Sequence, residues 1–124
     1  MPRLLVVDDV DAILFAMRSY FRRGGHVVDT TGDRAEAKRM VVESLYDVAI
    51  TDLRLGGADE VDGLDLAHFI RNASPSTRVV VLTAYGSPEL EDRAARLGVE
   101  RFLAKPQPLA DLAELVRSLT TAVR

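Results

Sequence analysis

Four apolar runs in this chain each stop at a polar residue of a different kind. Leu4–Val7 runs into Asp8 and Asp9, Val48–Thr51 into Asp52, Val79–Leu82 into Thr83, and Phe102–Ala104 into Lys105 and Pro106. Runs this short, rich in Val, Leu and Ile, have the length of strands buried on both faces. Longer stretches with apolar residues at helical spacing lie between them, and this alternation predicts a parallel sheet with crossover helices. In such a sheet the strands end on one edge, which here would gather three carboxylates, a hydroxyl and an ammonium, where open α/β folds place their ligands. Two carboxylates about 4 Å apart repel by roughly 4 kcal/mol at an effective dielectric near 20. Three together raise one another's pKa or call for a cation. A divalent metal with an incoming phosphoryl group satisfies the acids and the lysine at once.

The chain divides into five strand–helix units. Strands are expected at 3–7, 27–31, 47–52, 78–83 and 100–104. The first helix spans 11–23, with Ile13, Leu14, Met17, Tyr20 and Phe21 at helical spacing and Gly24–Gly25 as its stop. Asp33 is the expected N-cap of a second helix reaching Ser44, with Ala37, Met40, Val41 and Leu45 facing inward. The acidic, glycine-containing segment 53–63 reads as a loop, followed by a helix near 64–72 that Ser74–Pro75 breaks. Pro88 opens a helix to Leu97, with Leu90, Ala94 and Leu97 as its few core residues. Pro108 opens the last helix, whose Leu112, Leu115, Val116, Leu119 and Val123 form one stripe, and 120–124 read as an unstructured tail.

Composition sets the class. The 124 residues, 48% hydrophobic and 28% charged, suit one domain over 1–124 with a single core. A net charge of −3 offers no electrostatic ground for binding nucleic acid or an anionic membrane. Without cysteine there is no disulfide and no thiolate metal site. The apolar runs are too short to span a bilayer, and Met1–Pro2–Arg3 shows no signal-peptide pattern, so a soluble cytoplasmic protein is expected.

In this order, VVDD at 6–9, AITDL at 49–53, VVVLTA at 79–84 and FLAKP at 102–106 resemble the receiver domain of two-component response regulators. The resemblance covers the whole chain. It implies a doubly wound, flavodoxin-like (βα)5 fold with five parallel strands in the order 2-1-3-4-5. It also implies roles: Asp52 as phosphoacceptor, Asp8, Asp9 and Asp52 as Mg2+ ligands, and Arg54 as a further ligand through its backbone carbonyl. Thr83 and Lys105 would contact the phosphoryl oxygens, and Phe102 would be the switch aromatic coupled to Thr83. The implied partner is a sensor histidine kinase or histidine phosphotransfer protein. The surface of the fourth helix, fifth strand and last helix would serve an output partner or a homodimer, with neither nucleic acid nor membrane bound. Such a chain is not an enzyme beyond catalysing its own phosphorylation and dephosphorylation. The chemistry of the residues agrees, because a carboxylate attacks a phosphodianion only when a hard cation and a lysine offset the repulsion.

The chain departs from the family pattern after Asp52. Gly56–Gly57 stand where a proline turn is common, and Gly63 comes late because of the acidic stretch 58–62. Arg54 and Tyr85 are bulky residues two positions after Asp52 and Thr83, placed to restrict hydrolytic water. Two rival readings are weaker. A Mg2+-dependent phosphatase with an aspartate nucleophile commonly has a second acid where Arg54 stands, and no insertion here would hold a substrate. A pseudo-receiver that only binds partners would not need all of Asp8, Asp9, Asp52, Thr83 and Lys105. His26 and His68 lack a second ligand at metal spacing. Arg22–Arg23 complement a helix dipole, and Thr30–Thr31–Gly32 lacks a phosphate-loop fingerprint. The sequence fits a stand-alone regulator and a receiver taken from a longer protein equally.

Overall fold

Strands and helices alternate from end to end: β1 (Arg3–Val7), α1 (Asp11–Arg23), β2 (Val27–Thr31), α2 (Arg34–Glu43), β3 (Val48–Thr51), α3 (Glu60–Ala73), β4 (Arg78–Thr83), α4 (Pro88–Arg96), β5 (Arg101–Ala104) and α5 (Leu109–Thr121). The computed structural model describes residues 2–53, 60–84 and 86–121, with the backbone alone for 60–63. All strands are parallel, in the order β2-β1-β3-β4-β5. The chain moves outward from β1 to β2, then returns past β1 to add β3, β4 and β5. The switch point of this doubly wound sheet therefore lies between β1 and β3.

The unbroken apolar runs follow from burial on both faces. Leu4, Val6, Val28, Val48, Ile50, Val80 and Leu82 pack against α1 and α5 through Leu14, Met17, Phe21, Leu112 and Val116. Leu5, Val7, Ala49, Val79 and Val81 face the other way, toward α2, α3 and α4. Each fully buried Leu or Val contributes about 1.5–3 kcal/mol, and β1, β3 and β4 carry such residues on both sides. α1 has Asp11 in its first turn and Arg22 and Arg23 in its last, which complements its dipole. Gly25 follows at φ 94°, a conformation L-residues rarely adopt.

Three expectations need correction. α2 ends at Glu43, and Ser44 takes an extended conformation (φ −136°, ψ 148°). Leu45 therefore leaves the helical face and is 65% exposed, while Tyr46 turns inward to 2%. The Tyr46 hydroxyl donates to Asp29 Oδ2 at 2.6 Å, and the Arg3 guanidinium lies 5.5 Å from the ring centre. Burial, with the Asp29 carboxylate beside it, pushes this phenol up to about 12. α3 begins at Glu60 and takes in part of the stretch read as loop. α5 continues to Thr121, and the hydroxyls of Thr120 and Thr121 bond back to the carbonyls of Val116 and Arg117; Val123 lies outside the described residues.

Candidate functional site

The parallel ladder runs one residue past the strands and places the polar residues. Asp8 N–H donates to Thr31 O at 3.1 Å, Asp52 N–H to Val7 O at 3.0 Å, and Lys105 N–H to Thr83 O at 2.9 Å. Residues remote in sequence are thus held at one sheet edge by the backbone pairing that builds the sheet. Asp8 and Asp52 are 3% and 8% exposed, and Asp9 is exposed beside them. One carboxylate oxygen from each of Asp8, Asp9 and Asp52 lies within 4.8 Å of the others. Asp8 is pinned further, its Oδ1 accepting from Val10 N–H at 2.9 Å.

Lys105 answers this charge. Its Nζ donates to Asp8 Oδ2 at 2.7 Å and to Asp52 Oδ2 at 2.8 Å. Burial works to lower the ammonium's pKa, but the hydrogen bonds and negative charges of Asp52 and Asp8 outweigh it and hold the pKa above its ordinary value. An all-oxygen donor set of three carboxylates suits a hard divalent cation such as Mg2+ or Ca2+ and fits a soft metal poorly. Among the described residues it is the one such group. His26 instead sets Nδ1 3.2 Å from Phe21 O, and exposed His68 contacts Asn72.

The structure brings together Asp8, Asp9, Asp52 and Lys105, and it buries Thr83 at the end of β4. Phe102 is half-buried on β5. With Thr83 it lines a cavity of about 420 Å³ at the start of α4. Arg54, Gly56, Gly57 and Tyr85 lie outside the described residues. The sequence reading assigns no role to two glycines at this edge, Gly32 and Gly86. A Cβ on Gly32 would come within 3.2 Å of Asp8 O and 3.5 Å of Asp9 Cα, so the turn after β2 closes on the backbone of the acidic pair. A Cβ on Gly86 would come within 2.9 Å of the Phe102 ring. The only sequence signal for either was a glycine just past a strand on the site edge.

Comparison with known proteins agrees with this geometry. The family model described as the response regulator receiver domain matches residues 4–117. The alginate biosynthesis transcriptional regulatory protein AlgB of Pseudomonas putida is 35% identical over 104 residues, which is 84% of this chain and 22% of that protein. The photosynthetic apparatus regulatory protein RegA of Cereibacter sphaeroides is 33% identical over 94% of this chain and 60% of its own length. The chain thus spans less than two thirds of the length of these curated relatives. Among solved structures, the receiver domain of Francisella response regulator 1452 superposes with a TM-score of 0.88 at 26% identity, covering 100% of both chains. With the sheet order, the carboxylate cluster and its lysine in place, the chain belongs to the response regulator receiver domain family.

Proposed function

We propose that Asp52 accepts a phosphoryl group from a sensor histidine kinase or a histidine phosphotransfer protein, and that the modified site changes a partner-binding surface. The observation that carries this reading is the convergence on Asp52, at the end of a buried central strand, of the acidic Asp8 and the Lys105 ammonium at 2.8 Å. In the transfer, an Asp52 oxygen forms the bond to phosphorus as the bond to the donor imidazole nitrogen breaks. Lys105 stands beside the oxygens that carry the transferred charge, and Thr83 offers its hydroxyl from β4. Asp8, Asp9 and Asp52 would hold Mg2+, with the Arg54 carbonyl as a further ligand. When bound, that cation offsets the repulsion between the carboxylate and the phosphodianion. In this reading the chain acts as a switch that handles only its own phosphoryl group. The face of α4, β5 and α5 is the proposed output or homodimer surface, since Phe102 links it to Thr83, and the cytoplasm is the proposed compartment.

Intact-mass measurement after incubation with acetyl phosphate and Mg2+ tests the assignment. One phosphoryl group is expected on the wild type, none with the metal chelated, and none on Asp52→Asn. Full labelling of the Asn variant would overturn it.

A further inference from the structure

The turn between β4 and α4 carries a glycine that its backbone does not require. Among the described residues the positive-φ glycines are Gly25 and Gly98, so Gly86 lies outside the left-handed region and L-residues can adopt its backbone. A side chain there would press on the Phe102 ring. A Cβ at position 86 would sit 2.9 Å from Phe102 Cε1, 3.5 Å from Phe102 Cζ and 3.5 Å from Thr83 Cγ2. Non-bonded carbons rest near 3.5–4.0 Å, so the ring edge would have to yield. Thr83, Gly86 and Phe102 line the same cavity of about 420 Å³ together with Ser87 and Pro88, the residues that cap and open α4. Position 86 is therefore where the site's buried threonine, the β5 aromatic and the start of α4 meet.

We propose that Gly86 is a positioning residue: its missing side chain is the clearance that lets the Phe102 ring lie against the β4–α4 turn beside Thr83. A methyl group at this position displaces the ring toward solvent whatever the state of Asp52, and the α4–β5 surface then stops following phosphorylation. That last step rests on the phosphoacceptor reading above, whereas the steric relation holds in the unmodified protein. The backbone at 86 is free to accept alanine, so the cost of the substitution falls on the neighbouring ring.

The test uses the full chain with Mg2+, comparing wild type with Gly86→Ala. Nuclear Overhauser contacts between the Phe102 ring protons and the Thr83 methyl are expected in the wild type and lost in the variant, which still takes up phosphoryl on Asp52. Amide shifts over 101–104 on adding beryllofluoride should shrink in the variant. In a Phe102→Ala background, Gly86→Ala should cause no further loss of melting temperature, because the clashing ring is gone. Persistent ring–methyl contacts in Gly86→Ala would overturn the proposal, as would an equal effect of the substitution in both backgrounds, which would point to the start of α4 instead. If the ring contacts and the rescue appear but wild type takes no phosphoryl group, the clearance stands and the phosphoacceptor reading falls.

Discussion

Lys105 decides the electrostatics of the site. Its ammonium bridges both buried carboxylates, Asp8 and Asp52, and removing it takes that shared positive charge from two desolvated acids. Lys105→Ala is expected to destabilise the metal-free protein by about 2–4 kcal/mol. Mg2+ should restore more stability to the variant than it adds to the wild type, since in the variant it replaces the lysine's charge. Thermal melts with and without Mg2+ measure both effects; an equal Mg2+ increment in the two proteins would show that the lysine packs rather than neutralises. Thr51, next to Asp52, carries the opposite kind of imbalance. Strand alternation turns it toward α2 and α3, and its hydroxyl is buried with no hydrogen-bond partner among the described residues. Thr51→Val keeps the shape and removes the unsatisfied oxygen, so a gain of about 1 kcal/mol is expected. It should appear as a higher denaturant midpoint at unchanged slope.

Among the elements, α4 is held by local devices more than by burial. Ser87 Oγ accepts from Leu90 N–H at 3.2 Å, Pro88 opens the first turn with Glu89 and Glu91, and Arg93 and Arg96 close the last. Only Leu90 and Ala94 among its residues are buried. Ser87→Ala should therefore cost about 1 kcal/mol, felt locally as faster amide exchange over 88–96 while β1 and β3 stay protected. Uniform acceleration across the sheet would show that α4 opens only with the whole fold. The weak apolar character of this helix was legible in the sequence, as were β1, β3 and β4, because double-sided burial leaves unbroken apolar runs. The strand ends led to Asp8, Asp9, Asp52 and Lys105 for the same reason: a parallel sheet sets all carboxyl ends of its strands on one edge. What could not be read depends on register or tertiary clearance. Acidic residues suit a helix's first turn as well as a loop, so the start of α3 at Glu60 was hidden. Leu45 and Tyr46 are both apolar neighbours, and only the extended turn at Ser44 decides which one enters the core. Gly86 is explained by a ring sixteen positions away that spacing cannot place.

Across the whole molecule, the two ends of the sheet differ. At the amino ends of the strands, Thr77 Oγ donates to Tyr46 O at 2.7 Å, Arg71 donates to Pro75 O and Thr77 O, and Tyr46 bonds to Asp29. The carboxyl ends carry the charged site. Tyr46 and Lys105 therefore report on opposite ends in one titration. Both hold their protons more tightly when folded, Tyr46 to about 12 from 10.0 and Lys105 above 10.5. Their contribution is complete below the unfolded values and is lost as pH rises through the folded ones. Stability should fall between about pH 10 and 12, and one of the three tyrosines should ionise late in an ultraviolet titration, a lag that Tyr46→Phe abolishes. A last consequence lies in the sequence separation of the site. Lys105 stands 97 positions from Asp8 and 53 from Asp52, on an outermost strand paired only with β4. No contiguous segment holds a rudimentary acceptor. A chain still being synthesised, or one whose outer strand has come away, lacks the ammonium and Phe102 together, so on the phosphoacceptor reading proposed above Asp52 would meet a donor without its lysine. On that reading, competence to take up phosphoryl would wait on the pairing of β5 with the rest of the sheet.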